Sequence, residues 1–193
     1  SMFDAILQFN FIDIIIIILS LRICYISFKM GLPVELFKLL GVIFATYIAL
    51  HYYTSLSDII QRSFLPKEMP LEFLDFLVFI VLVLGAYPGF VVLRSMFYRF
   101  IKLEASPRLS QFGGLILGLA RVFFTTGLLV YILMISSVKY LNDSVKFSYF
   151  GSRSYAVAPK IYGWLWGNIV SKFSVKEKFN PTVNEVTERF NRK

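Results

Sequence analysis

Residues 113–122 read Gly113-Gly114-Leu115-Ile116-Leu117-Gly118-Leu119-Ala120-Arg121-Val122, three glycines and one arginine in an otherwise apolar run. They open a longer apolar segment, residues 112–138, and about 20 apolar residues at about 1.5 Å rise each suffice to cross a bilayer. Gly114 and Gly118 form a small-xxx-small pair, which lets a neighbouring backbone come close where no hydrophobic force holds helices together. Arg121 follows Gly118 by about one turn and is expected to face the same partner helix. An arginine at that depth costs at least about 2.5 kcal/mol and calls for an acidic or carbonyl partner.

The whole chain has the same character. Its 193 residues are 57% hydrophobic and 18% aromatic, with a mean hydropathy of +0.68, far above the apolar share of a soluble domain. This is the composition of an integral membrane protein. The net charge of +8 does not point to nucleic acid, because ten of the twenty Lys and Arg follow Val138 and most of the others flank apolar spans. Anionic lipid is the expected counterpart. A single cysteine, Cys24, lies inside an apolar run, forms no internal disulfide and reads as a small core residue.

Four spans are expected, at residues 9–28, 33–53, 71–93 and 112–138, so that residues 9–138 make an all-α four-helix membrane bundle. Ser1 precedes Met2, the expected native start. The Ile14 to Ile18 run is β-branched, yet in lipid an isolated strand leaves its backbone groups unpaired, so a helix is expected. A signal peptide is disfavoured by Asp4, by the lack of a basic start and by the lack of a small-residue cleavage site. Asp13 and Arg22 lie in the first span, nine residues and half a turn out of phase, so each needs a partner elsewhere. Pro33 opens the second span with Glu35 in its first turn, where the helix dipole favours an acid. His51-Tyr52-Tyr53 closes that span and reads as an interfacial anchor.

Residues 58–70 read as a polar connection. The third span carries Asp75 one turn inside and Gly85-Ala86-Tyr87-Pro88-Gly89 near its end, where the proline frees a carbonyl and bends the helix. Residues 94–108 set Arg94, Arg99, Lys102 and Arg108 against Glu104 alone. Residues 139–173 read as a linker followed by an amphipathic helix over 155–173 that lies in the membrane surface or packs on the bundle, with Tyr162, Trp164 and Trp166 as partner-facing or interfacial rings. Residues 174–193 read as a short polar tail, whose Asn180-Pro181 caps a helix prone to fraying. The basic third connection and the acidic start place the first and third connections inside and both ends outside.

These residues in this order resemble the colicin V production protein family of bacterial inner-membrane proteins. The resemblance runs from about Asn10 to Pro159 and is carried by Asn10-Phe11-Ile12-Asp13, Gly31-x-x-x-Glu35, His51-Tyr52-Tyr53-x-x-Leu56-Ser57 and Gly114-x-x-x-Gly118-x-x-Arg121, with Ser154 and Pro159 beyond. The chain departs from the family in having Met30-Gly31 and Arg121-Val122 where Arg-Gly is usual, and Ser110-Gln111 for an Asp-Arg pair. The resemblance implies a non-enzymatic role in envelope maintenance and, in some members, in export of a peptide toxin. Relatives with a similar unit ahead of an extracytoplasmic protease domain favour an outside C-terminus.

Enzymatic chemistry has little support: one His and one Cys stand in different settings, without metal-ligand spacing or a phosphate-binding glycine loop. No cofactor is expected. The expected role is a scaffold or adaptor, with membrane lipid and an envelope protein or a second copy of the chain as partners. The alternative is an oligomeric transporter or channel for a small solute or peptide, with a path lined by Asp13, Arg22, Asp75 and Arg121, while Glu35 is expected to compensate an arginine.

Overall fold

The computed structural model describes residues 9–64, 69–100, 106–136 and 138–192. Asp4, Lys102 and Glu104 lie outside the described residues. Among the described residues four helices are long and apolar enough to cross a membrane: α1 (Phe11–Met30), α2 (Leu32–Phe64), α3 (Leu71–Phe100) and α4 (Pro107–Ile135). Beyond them come α5 (Lys139–Phe147), α6 (Gly151–Ser154), α7 (Val157–Leu165), a π turn (Trp166–Val170), α8 (Ser171–Phe173) and α9 (Thr182–Arg192). There is no strand among the described residues. The β-branched run sits inside α1, as lipid requires, and Ile14, Ile15 and Ile18 point outward where acyl chains solvate them.

Local signals set the helix ends. Asn10 caps α1, its side chain accepting from the Ile12 N–H, while Asp13 returns a bond to the Asn10 N–H to complete a capping box. Gly31 ends α1 at φ +80 and ψ 175, a conformation essentially confined to glycine. A Cβ there would also strike Ser110, whose hydroxyl accepts the Leu32 N–H at 3.2 Å. Ser106 and Pro107 start α4. Pro88 lies within α3, which continues past it to Phe100 with the Leu84 carbonyl deprived of its usual donor.

Two expected boundaries differ. The second span was expected to stop at Tyr53, but α2 continues through Phe64 as a 33-residue helix of about 50 Å. A hydrocarbon core about 30 Å thick cannot contain it, so its Asp58–Arg62 turns stand outside, and the connection is correspondingly shorter. Residues 139–154, expected as linker, form α5 and α6.

In the bundle α2 packs mainly on α3 and α4, while α1 packs mainly on α4 and touches α2 little. The main core occupies one half of the bundle. There Tyr53, Phe79 and Tyr131 are buried together, with ring centroids 5.4 Å apart for Tyr53–Phe79 and for Phe79–Tyr131, and the two tyrosine hydroxyls share a 3.2 Å hydrogen bond. Ala158, Tyr162, Val183 and Val186 from the C-terminal segment belong to the same core. We call this half the terminal end, since Phe9 stacks on Tyr149 there at 5.8 Å. The opposite, Gly31 end is held by glycine contacts and an ion pair.

The C-terminal segment does not lie free on a membrane surface. It packs on α2 and α4, and a Cβ on Gly127 would come within 2.6 Å of Val157. Gly127 is eight residues from the end of α4, about 12 Å below it, so α7 is tucked against the side of the bundle. The tail is likewise docked, because Val183 and Val186 of α9 are buried and Phe190 packs on Tyr155 at 5.4 Å.

Candidate functional site

Among the described residues three polar groupings tie the helices to one another, and the first is at the Gly31 end. Gly114 faces the carbonyl of Ser27, which a Cβ would approach to 2.6 Å, and Gly118 faces the Ser27 side chain. With the backbones of α1 and α4 so close, Arg121 reaches across: its guanidinium forms an ion pair with Glu35, and one nitrogen donates to Ser27 Oγ at 3.4 Å. Ser27 Oγ in turn donates to the Ile23 carbonyl at 2.6 Å. Glu35 is fully buried and Arg121 nearly so, so the pair sits where water does not screen it. Arg22 does not join it. It is exposed on α1 and lines a groove with Lys38 and Arg121.

The second place is the start of α1. Asp13 is fully buried. Its Oδ1 accepts the Phe150 N–H at 2.7 Å, and its Oδ2 accepts the N–H groups of Tyr149 at 3.0 Å and Asn10 at 3.1 Å. Asn10 donates its side-chain N–H to the Ser144 carbonyl at 2.6 Å. The Asn10-x-x-Asp13 motif therefore serves as both a helix cap and a clamp on the chain after the fourth span. Charge-assisted bonds of this type are roughly twice as strong as neutral ones.

The third place surrounds His51, which is buried and is not the membrane-edge anchor that its position suggested. The Asn180 N–H donates to the Tyr162 hydroxyl at 2.9 Å, and that oxygen lies 2.9 Å from His51 Nδ1. His51 Nε2 is 2.9 Å from Glu177 Oε2, and Tyr52 donates to Oε1 at 3.3 Å. One assignment satisfies every group: Tyr162 donates to Nδ1, and the neutral ring donates Nε2–H to the carboxylate. Asn180 adds a bond to the Leu50 carbonyl at 2.8 Å and caps α9 by accepting from Thr182 N.

Tyr162, expected as a partner-facing ring, is therefore buried and engaged. Trp166 is half-buried and stacks on His51 at 5.6 Å. Trp164 alone of the three is exposed. Asp75 is half-buried in a cleft at the terminal end with Tyr53, Glu72, Glu185 and Arg189, and within reach of Ser57. Sequence reasoning missed Ser27 and Glu177, and read Asn180 only as the helix cap that it also is.

The His51 hydrogen bond holds the Glu177 carboxyl below its ordinary value of 4.5, with a further bond from Tyr52. Burial pushes the Tyr162 phenol up. Because the folded-state value of Glu177 is depressed, its contribution is complete above about pH 4.5 and is lost as pH falls through the lowered value. Limited proteolysis should find the segment 174–192 increasingly cleavable as pH falls below that range, and Glu177→Gln should flatten the dependence. An unchanged profile in Glu177→Gln would show that another group controls docking.

The model of the family described as Colicin V production protein matches residues 12–158. That range holds the Asp13 clamp, the Glu35–Arg121 pair and the Gly114/Gly118 contact. The chain belongs to the colicin V production protein family. No curated protein and no solved structure matches it. The family match ends at the base of α7, so Glu177, Asn180 and α9 lie beyond it. This member of the colicin V production family is a multi-pass membrane protein, and its family links it to colicin V production.

Proposed function

We propose that the protein is a non-enzymatic scaffold of the bacterial inner membrane, holding an envelope partner in support of envelope maintenance and colicin V production. One observation carries this reading. The segment after the fourth span presents Trp164, Ile169, Phe173 and Val175 to the surroundings, while His51, Tyr162 and Asn180 fix its base to the bundle. Large rings and apolar side chains on a held support are what a docking partner buries. The span charges Asp13, Glu35 and Arg121 are engaged within the fold, as a stable anchor requires. In this reading both ends are extracytoplasmic and the Gly31 end faces the cytoplasm, following the basic third connection.

The test pairs Trp164→Ala with Phe173→Ala, leaving Trp166 and its His51 stack intact. The double variant should remain in the membrane and melt with the wild type, yet lose its co-purified envelope partner and fail to restore colicin V production. With Cys24→Ala as background, a cysteine at Val175 should react with an impermeant thiol reagent once the outer envelope is breached, and one at Ser106 should not. A fully functional double variant, with Arg121→Gln abolishing movement of a defined solute into vesicles, would replace the scaffold with a transporter.

A further inference from the structure

The weak contact between α1 and α2 leaves an open groove on the Gly31 half of the bundle. Its floor is α2 and α4, its walls are α1 and α3, and its cavity is about 560 Å³, within the usual range for small-molecule sites. Leu19, Ile23, Val42 and Leu84 make it apolar, while Arg22, Lys38 and Arg121 supply cations. The three cations share a depth. Arg22 lies nine residues before Gly31, Lys38 seven after it, and Arg121 seven after Gly114, which abuts Gly31, so each is about 10 to 14 Å from that level. Arg121 is paired with Glu35, which attracts Lys38 only from beyond ion-pair distance, and among the described residues neither Arg22 nor Lys38 has an ion-pair or hydrogen-bond partner. Two unmatched cations at the mouth of an apolar slot cost free energy unless an anion joins them.

We infer that this groove is a binding site for an anionic phospholipid of the surrounding bilayer, with the phosphate on Arg22 and Lys38 and an acyl chain along Ile23, Val42 and Leu84. Basic pockets between membrane helices are the recurrent form of such sites. The dimensions decide against a partner helix. A helix about 10 Å across displaces roughly 80 Å³ per ångström of its length, so the groove takes in little more than one turn of it. An acyl chain is several-fold narrower and fits lengthwise. Lipid also reaches the groove laterally, without leaving the membrane. The site is independent of the scaffold reading, since it lies at the opposite end from Trp164 and Phe173.

The experiment compares detergent-purified full-length protein with added dioleoylphosphatidylglycerol, dioleoylphosphatidylcholine or soluble glycerol phosphate, reading retained lipid by native mass spectrometry and melting temperature in parallel. The phosphatidylglycerol should be retained preferentially and raise the melting temperature, with no effect of glycerol phosphate. Each cation contributes about a fivefold factor, so Arg22→Gln with Lys38→Gln should weaken phosphatidylglycerol retention about 30-fold. Without added lipid the double variant should fold and melt no lower than the wild type, because it removes two cations that the apolar groove makes costly. Equal retention of both lipids, full retention in a folded double variant, or an equal shift with glycerol phosphate would each overturn the site.

Discussion

Replacing Asp13 by alanine should destabilise the detergent-solubilised protein by about 3 to 5 kcal/mol, since each buried donor left without an acceptor costs about 1 to 3 kcal/mol. Three backbone N–H groups, those of Asn10, Tyr149 and Phe150, converge on this one carboxylate. Among the described residues no second acceptor serves these donors, and Asp13 itself is closed to water. Asp13→Asn should fall between wild type and alanine: its amide keeps one acceptor oxygen but turns an NH₂ toward a donor. Thermal unfolding gives the ranking, and proteolysis locates the damage, which should appear first in residues 139–156. If Asp13→Ala melts with the wild type, the clamp has no energetic weight.

The second large effect is at the opposite end. Glu35→Gln strands the buried Arg121 cation, and breaking a buried pair from one side typically costs about 3 to 5 kcal/mol. The exposed pair of Glu188 with Arg192 is the control, its nitrogen and oxygen 3.2 Å apart on one face of α9. Surface pairs of this kind contribute about 0 to 1 kcal/mol, so Glu188→Gln should leave melting nearly unchanged. Glu35→Leu combined with Arg121→Leu should recover most of the loss, because removing both charges also removes their desolvation penalty. Equal melting of Glu35→Gln and Glu188→Gln would mean that Arg121 finds its compensation elsewhere.

What the sequence disclosed was whatever depends on length and on counting along a helix. The four spans follow from apolar length, which overrides the β-branched preference of Ile14 to Ile18. Counting turns from the helix ends puts Glu35 and Arg121 in one layer, and the small-xxx-small spacing of Gly114 and Gly118 marks the face that α1 meets. Interactions distant in sequence were not legible. Asp13 finds its acceptor role through backbone groups 136 and 137 residues away, and backbone donors leave no trace in residue identity. His51 resembled an interfacial ring because its partners, Tyr162 and Glu177, stand 111 and 126 residues on. The docked tail did carry a signal, the spacing of Val183, Val186 and Phe190 on one face of α9. The polar residues between them masked it.

The pairing of α1 with α4 rather than α2 also sets an order of biogenesis. Ser27 must wait for Arg121, 94 residues later in the chain, and at about 5 to 20 residues per second that interval is about 5 to 20 s. During it the first span stands among lipids with its glycine-facing side bare, while α2 and α3 can already close as a hairpin. Asp13 waits longer still, for Tyr149 and Phe150. Ribosome-arrested chains ending before Pro107 should therefore crosslink to lipid from a photoreactive residue at Ser27, and chains long enough for α4 to have left the ribosome should not. Until the fourth span arrives, lipid is left to cover the face of the first span that Gly114 and Gly118 later meet.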